Sequence, residues 1–323
     1  MDLLEPGPER APFGLRAMTM IARAAESGLS QPQRALLDAA QQGLLHTDLD
    51  VDSLPPLTPE ELAGRFDEPA LARQLIRGMV IMSLADGPPS RRQTELISSF
   101  AAALGVDEPA VKVTQRLMER DLLMFRLDFY RRSHLRDYIG TQYRTQGGIL
   151  AVVKGVLGAR GLIEDKELAG QFRALGELPE DTLGYRFFRH YTDNGFPFPG
   201  EKNGFPVGAI FHDFGHILGG YDTSPEGEML AAAFQAGYRR NEDAFFTLLF
   251  AVLTHTAGVN MAPFEMPVLL GRIGQTGLAK QMLTAIKRGA AMKVDLGSDW
   301  DFWPYVELPL DVARQRLGVP PPA

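Results

Sequence analysis

The sequence predicts an all-α protein of two helical domains, the second a helical bundle with a metal site between its helices. Three observations carry this expectation. Apolar residues recur at helical spacing with no strand-like alternation. Two helix-turn-helix stretches in the N-terminal half look alike. One apolar segment of the C-terminal half carries His212, Asp213 and His216 within a single helical turn and a half.

A chain of 323 residues accommodates two ordinary domains, and 45% hydrophobic content supplies each with a core. Lys and Arg number 33 against 40 Asp and Glu, a formal net charge of -7, which speaks against a broad cationic face and so against nucleic acid as a partner. Cysteine is absent. Disulfides, thiolate metal sites, iron-sulfur clusters and cysteine nucleophiles are thereby excluded, and any metal must be held by His, Asp or Glu. Met1 to Arg10 is acidic and contains Pro6 and Pro8, unlike a signal peptide. The best apolar run, Ile149 to Leu157, is interrupted by Lys154 and falls short of the roughly 20 residues of a spanning helix. The expectation is a cytoplasmic protein, free or peripheral on the inner face of the membrane.

From Phe13 to about Lys112 the apolar positions Leu15, Met18, Ile21 and Ala22, then Leu36, Leu37 and Ala40, then Leu75, Met79, Met82 and Leu84 follow helical periodicity. Ile21 to Ala40 and Ile81 to Ala101 share a pattern: an acidic turn, then Ser30 with Gln33, or Ser90 with Gln93, a capping box that opens the second helix. Pro55, Pro56 and Pro59 read as a rigid spacer between the two hairpins. This repeat resembles the tellurite-resistance TerB family over roughly Leu15 to Val113. Glu26 and Ser27 stand where that family's first Asp-Gly is expected, and Gln33 and Gln93 replace its Glu. These departures remove carboxylates, so a helical interaction or regulatory domain is expected here instead of the metal-binding role proposed for acidic members of that family.

Between Arg116 and Arg144, arginines alternate with Leu122, Leu123, Phe125, Leu127, Phe129 and Tyr130 as in a basic amphipathic helix. Such a helix suits either an anionic membrane surface or a connector packed on protein with its arginines paired to neighbouring acids. Glycines from Gly147 to Gly161 mark the boundary, giving domains 1-145 and 146-323.

The chemistry concentrates in the second domain. His212 and His216 are four residues apart on an apolar helix, so both imidazoles leave the same face one turn apart. Asp213 lies about 100 degrees round the helix from His212, at the edge of such a site or beside it as a base. The helix is expected to end at Gly219 and Gly220, with Ser224 as N-cap and Pro225 as first residue of the next, whose first turn carries Glu228. Two imidazoles with one or two carboxylates suit zinc, iron or another divalent first-row ion with a position left for water or substrate. His46, His134 and His190 show no comparable pattern and are given no role. The stretch from Ala244 to about Met261 reads as a helix rich in Phe and Leu, in which Phe246 and Phe250 either line an apolar channel or form plain core. His255 on it is a candidate to contact substrate or support the site.

The spacing His-Asp-x-x-His, eleven residues, then Glu, met by His212, Asp213, His216 and Glu228, is similar to the hallmark of the coenzyme Q biosynthesis protein 4 family. The leader Leu178 to Tyr185 and the closing elements Trp300, Leu308 to Arg314 and Leu317 to Val319 also resemble that family, so the likeness spans roughly Glu164 to Val319. It implies a helical domain that binds a prenylated aromatic precursor of ubiquinone, with a metal near the head group. The implied reaction is oxidative decarboxylation and hydroxylation at ring carbon 1, with Asp213 or Glu228 moving a proton. Other quinone-biosynthesis proteins, a membrane surface and a second copy in a homodimer are the partners compatible with it. Two other readings stay open from the residues: a non-catalytic prenyl-lipid-binding scaffold that gathers such enzymes, and a metal-dependent hydrolase with Asp213 as base.

Overall fold

The computed structural model describes residues 1–25, 28–119, 164–241, 244–261, 268–298 and 300–321. Among them no strand forms, and the only β-type pairings are two isolated bridges. The all-α expectation therefore holds. The α-helices in chain order are α1 (Ala11–Arg23), α2 (Gln31–Ala40), α3 (Pro59–Ala63), α4 (Pro69–Ser83), α5 (Arg91–Ala103), α6 (Pro109–Met118), α7 (Lys166–Ala174), α8 (Leu183–Asn194), α9 (Phe211–Gly219), α10 (Pro225–Tyr238), α11 (Ala244–His255), α12 (Leu278–Ala290), α13 (Trp303–Val306) and α14 (Leu310–Leu317).

The chain forms two compact units that interleave in sequence. One comprises Arg132–Ala244 and Arg288–Ala323 together with Met1, the other Asp2–Arg131 and Phe245–Lys287. The segment 245–287, expected in the C-terminal domain, thus packs with the N-terminal helices. The boundary placed near residue 145, and all of the basic amphipathic stretch beyond Glu119, including His134, lie outside the described residues.

In the N-terminal unit both capping boxes form. The Gln33 backbone N–H donates to Ser30 Oγ at 3.4 Å while Ser30 N–H donates to Gln33 Oε1 at 3.0 Å, and the Ser90 and Gln93 pair does the same at 3.2 and 2.9 Å. Gln93 also donates its side-chain amide to the Ile21 carbonyl at 3.1 Å, tying the start of α5 to the end of α1. The proline segment is strapped down along α1: Arg16 Nε donates to the Pro55 carbonyl at 2.9 Å and Arg23 Nη2 to the Asp52 carbonyl at 2.7 Å. The apolar stretch from residue 244 is helical only to His255. Thr256 and Ala257 both turn their amides to the Val252 carbonyl, and Gly258 then takes φ +70°, so the helix cannot continue to 261.

In the same unit Glu108 is almost fully buried, caps α6 through the Ala110 amide, and meets the Arg77 guanidinium at 2.8 Å. A buried carboxylate left without its cation is costly. Arg77→Met is expected to lower the unfolding free energy by about 3 kcal/mol in urea titration, with part of the loss recovered in the Arg77→Met, Glu108→Gln double variant.

The other unit is held by an aromatic core. Phe187 of α8 stacks on Phe214 of α9 with ring centroids 4.7 Å apart, Phe214 meets Trp300 edge-on at 5.3 Å, and Phe172 of α7 lies 5.4 Å from Phe187. These rings set α9 against α8. The leader and closing segments meet directly: Leu183 N–H donates to the Leu308 carbonyl at 2.9 Å, and Leu310 N–H to the Asp181 carbonyl at 2.8 Å.

Candidate metal centre

Pro206 holds the chain extended before a single 3-10 turn at Val207–Ala209, and α9 begins at Phe211. Phe211, Phe214 and Leu218 are buried, so the face bearing His212 and His216 is fixed by what lies opposite it. The helix ends as expected. Gly220 adopts φ +76°, its N–H donates to the His216 carbonyl at 2.8 Å, and Tyr221 N–H reaches the same carbonyl at 2.9 Å. Side chains satisfy the remaining carbonyls of the last turn: Arg314 donates to Ile217 and Leu218 at 3.2 and 3.0 Å, and Arg288 to Gly219 at 2.9 Å.

Ser224 caps α10 by accepting from Gly227 N–H at 3.1 Å, with Pro225 in the first turn. At Gly227 a Cβ would overlap Asp222, so the turn closes this tightly only with glycine there. The reversal carries Glu228 back over the histidine pair.

His212 Nε2, His216 Nε2 and Glu228 Oε2 form a nearly equilateral triangle with sides of 3.2, 3.3 and 3.5 Å. They form a group of ligand atoms able to share one ion. A point equidistant from all three lies about 1.9 Å from each, the side divided by √3, and a small step out of the plane brings every distance to the ~2.0–2.2 Å of zinc-imidazole and zinc-carboxylate bonds. Both imidazoles turn the correct nitrogen inward. His216 Nδ1 lies 3.3 Å from the Tyr221 carbonyl, and His212 Nδ1 lies 2.7 Å from the side-chain amide of Gln235. The Tyr221 carbonyl can accept the His216 Nδ1 proton, leaving that Nε2 lone pair for a cation, whereas Gln235 turns its Nε2 to His212 Nδ1 and would accept from the ring only with its amide turned by 180° to present Oε1. His216 is buried, whereas His212 and Glu228 remain about one-third exposed, so a ligand reaches the cluster from their side. Three protein donors with one open side would leave a coordination position for water or another ligand.

Arg288 supports the same geometry from further out. Its guanidinium lies over the rings of Tyr221 and Phe234 and donates to the Tyr221 hydroxyl at 2.6 Å, fixing the residue whose carbonyl faces His216.

Without a metal, burial pulls the His212 imidazole down, but the hydrogen bond and charge of Glu228 outweigh it and lift the ring to about 9. Burial likewise pushes the Glu228 carboxyl up, and hydrogen bonds from His212 and His216 overcome that and hold it well below the usual carboxylate range. A proton thus occupies the position a cation would take, as an imidazolium-carboxylate pair. Metal entry must displace it.

Asp213 does not join the cluster. Its position round α9 aims it at α8, where the Tyr191 hydroxyl donates to Oδ2 at 2.7 Å and His190 Nε2 stands 3.7 Å from Oδ1. Burial first, and then the neighbouring carboxylate, push the Tyr191 phenol upward, so it stays protonated and donates. Phe246, Phe250 and His255 lie on α11, in the unit built with the N-terminal helices, while the cluster lies in the other. Five residues in and around the centre were not foreseen: Gln235, Tyr221, Arg288, His190 and Tyr191. Gln235 is seven residues after Glu228 and shares its face of α10, and His190 is seven after the buried Leu183 on α8, signals legible once the helices are phased.

No family model and no curated protein matches the chain. A solved structure from Nostoc punctiforme, which carries a provisional name as a ubiquinone biosynthesis protein, aligns with 77% of this chain and 98% of its own length at 15% identity and a TM-score of 0.34. At that distance the likeness does not bear on activity. The tellurite-resistance likeness of the N-terminal helices finds no support in the comparisons.

Two outcomes are expected. Because the metal competes with the His212 proton, apparent zinc affinity measured against a competing chelator rises about tenfold per pH unit between pH 6.5 and 8.5 and levels off above about pH 9. Replacing Gln235 by Leu removes the side-chain amide that faces His212 Nδ1 and weakens zinc binding by roughly 10- to 100-fold while the thermal transition of the metal-free protein shifts little.

Proposed function

We propose that this protein is a divalent-metal-dependent member of the ubiquinone or prenylquinone biosynthetic machinery, acting on the ring of a prenylated hydroxybenzoate-type precursor. The observation that carries this reading is the convergence of the His212, His216 and Glu228 donor atoms within 3.5 Å of one another. The same residues carry the family resemblance, and the leader and closing segments that extend it pair with each other beside the same helix.

The reaction we propose is replacement of the carboxylate at ring carbon 1 by a hydroxyl: the bond to the carboxyl carbon breaks with release of carbon dioxide, a bond to an oxygen from water forms, and two electrons and two protons pass to an external two-electron acceptor such as dioxygen. A bound zinc, iron or similar ion would hold the carboxylate and polarise the ring oxygen. His212, His216 and Glu228 would ligate it, and the exposed edge formed by His212 and Glu228 would admit the substrate. Asp213, held as an acceptor by Tyr191, stands ready to take a proton from a ring substituent. Among the described residues no helix is long and apolar enough to cross a membrane, so the prenyl tail would be met at a membrane surface or within the protein.

Purified wild-type protein is expected to contain about one divalent ion per chain by elemental analysis, and His212→Ala to retain its far-UV spectrum while losing that ion and at least about a hundredfold of carbon dioxide release from a prenylated 4-hydroxybenzoate. Absence of a bound divalent ion in the wild type would remove the metal-dependent reading. Metal-loaded wild type that binds the prenylated ring without releasing carbon dioxide when dioxygen or another two-electron acceptor is supplied would instead make it a lipid-binding scaffold.

A further inference from the structure

The separations of three donor atoms set the angles at which any shared ion must meet them. For an ion bonded equally to all three, the edge between donors is about 1.63 times the bond length at tetrahedral angles and about 1.41 times at right angles. The edges here are 3.2, 3.3 and 3.5 Å. Tetrahedral angles then require bonds of about 2.0 to 2.1 Å, within the range that zinc makes with imidazole and carboxylate. Right angles would require about 2.3 to 2.5 Å. Octahedral magnesium keeps to about 2.0–2.1 Å, and calcium, which does accept the longer bonds, is bound through oxygen. The same two-histidine, one-carboxylate set also serves six-coordinate iron(II) centres, where substrate and dioxygen share the positions left open. Donor spacing separates the two arrangements, and here it is the tetrahedral one that fits.

Among the described residues no fourth His, Asp or Glu donor joins the group. Asp213, one residue from His212, is engaged elsewhere: Tyr191 donates to its Oδ2 at 2.7 Å, and its Oδ1 faces His190. The cluster is closed on the buried His216 side and open only along His212 and Glu228.

We propose that His212, His216 and Glu228 form a four-coordinate centre with one exchangeable position, which takes a single oxygen of the ring carboxylate. The proposal rests on the function given above and narrows it. The ring carboxylate and the two-electron acceptor exclude one another from the ion, so the acceptor meets the ring away from the metal. Asp213 stays outside the ligand set.

The test uses full-length protein loaded with cobalt(II), which takes the same nitrogen and oxygen donors. A tetrahedral field lacks a centre of inversion, so four-coordinate cobalt absorbs visible light strongly and six-coordinate cobalt weakly. One cobalt per chain is expected to absorb at least about tenfold more strongly than the aqueous ion. Azide is expected to shift that band with single-site saturation, and benzoate to raise the apparent azide dissociation constant in proportion to its own concentration. Asp213→Asn is expected to leave the band's intensity and position unchanged. Weak absorption like that of the aqueous ion overturns the proposal, as does a ternary complex in which azide and benzoate bind the cobalt together. Loss of the band in Asp213→Asn also overturns it, by returning Asp213 to the ligand set. Benzoate that leaves the band and azide binding untouched removes the carboxylate from the metal and with it the ligand assigned to the open position. Protein that takes up no cobalt or zinc fails the metal-dependent reading itself.

Discussion

Three donor atoms from two helices, each bearing a lone pair or a negative charge, are held 3.2 to 3.5 Å apart. Left to themselves they would separate, since neither two imidazole lone pairs nor a carboxylate and a lone pair attract one another. A shared cation converts the same arrangement into an attraction, and in its absence a proton on His212 does so in part. Much of the unit around them restrains the triangle. The Gly220 turn directs the chain away from α9, Gly227 lets the following turn close on Asp222, and the Ser224 cap starts α10 at the register that returns Glu228 to the histidines.

The restraint extends to the end of the chain. Four consecutive carbonyls at the end of α9 have partners: that of His216 takes the turn amides, and those of Ile217, Leu218 and Gly219 take arginine donors from α14 and α12. Arg288 adds a contact to Tyr221, whose carbonyl faces His216 Nδ1. The closing segment, legible in sequence only as a likeness to a family, therefore completes the helix end on which the buried histidine depends. The aromatic stack from Phe172 through Phe187 and Phe214 to Trp300 fixes the opposite side of α9, which is why Asp213 meets Tyr191 and His190 instead of joining the cluster.

Several features were legible in the sequence because they are local. The capping boxes at Ser30 and Ser90, the glycine stop after Leu218 and the Ser224-Pro225 start each depend on residues within four positions of one another. The pairing of His212 with His216 is local in the same sense. Other features resisted prediction because they depend on distant packing. The helix from Ala244 stops at His255, six residues short of the expected end, where Gly258 turns left-handed and the backbone pairs Ala257 with Leu270. The same helix, with Phe246, Phe250 and His255, is assigned to the N-terminal unit, a choice among apolar surfaces that periodicity alone does not make.

Residue type and spacing by themselves determined that this chain is helical, that any metal in it is held by nitrogen and oxygen, and that two imidazoles share one face of a helix, since each follows from backbone geometry or from the absence of cysteine. Tertiary structure decided which groups share their surroundings: that Glu228 closes the triangle, that Gln235 and the Tyr221 carbonyl face the imidazoles, and that Asp213 turns to Tyr191 and His190. Those outcomes depend on how α8, α9 and α10 are rotated against one another. That rotation is set by a ring stack and two arginine clamps assembled from residues far apart along the chain.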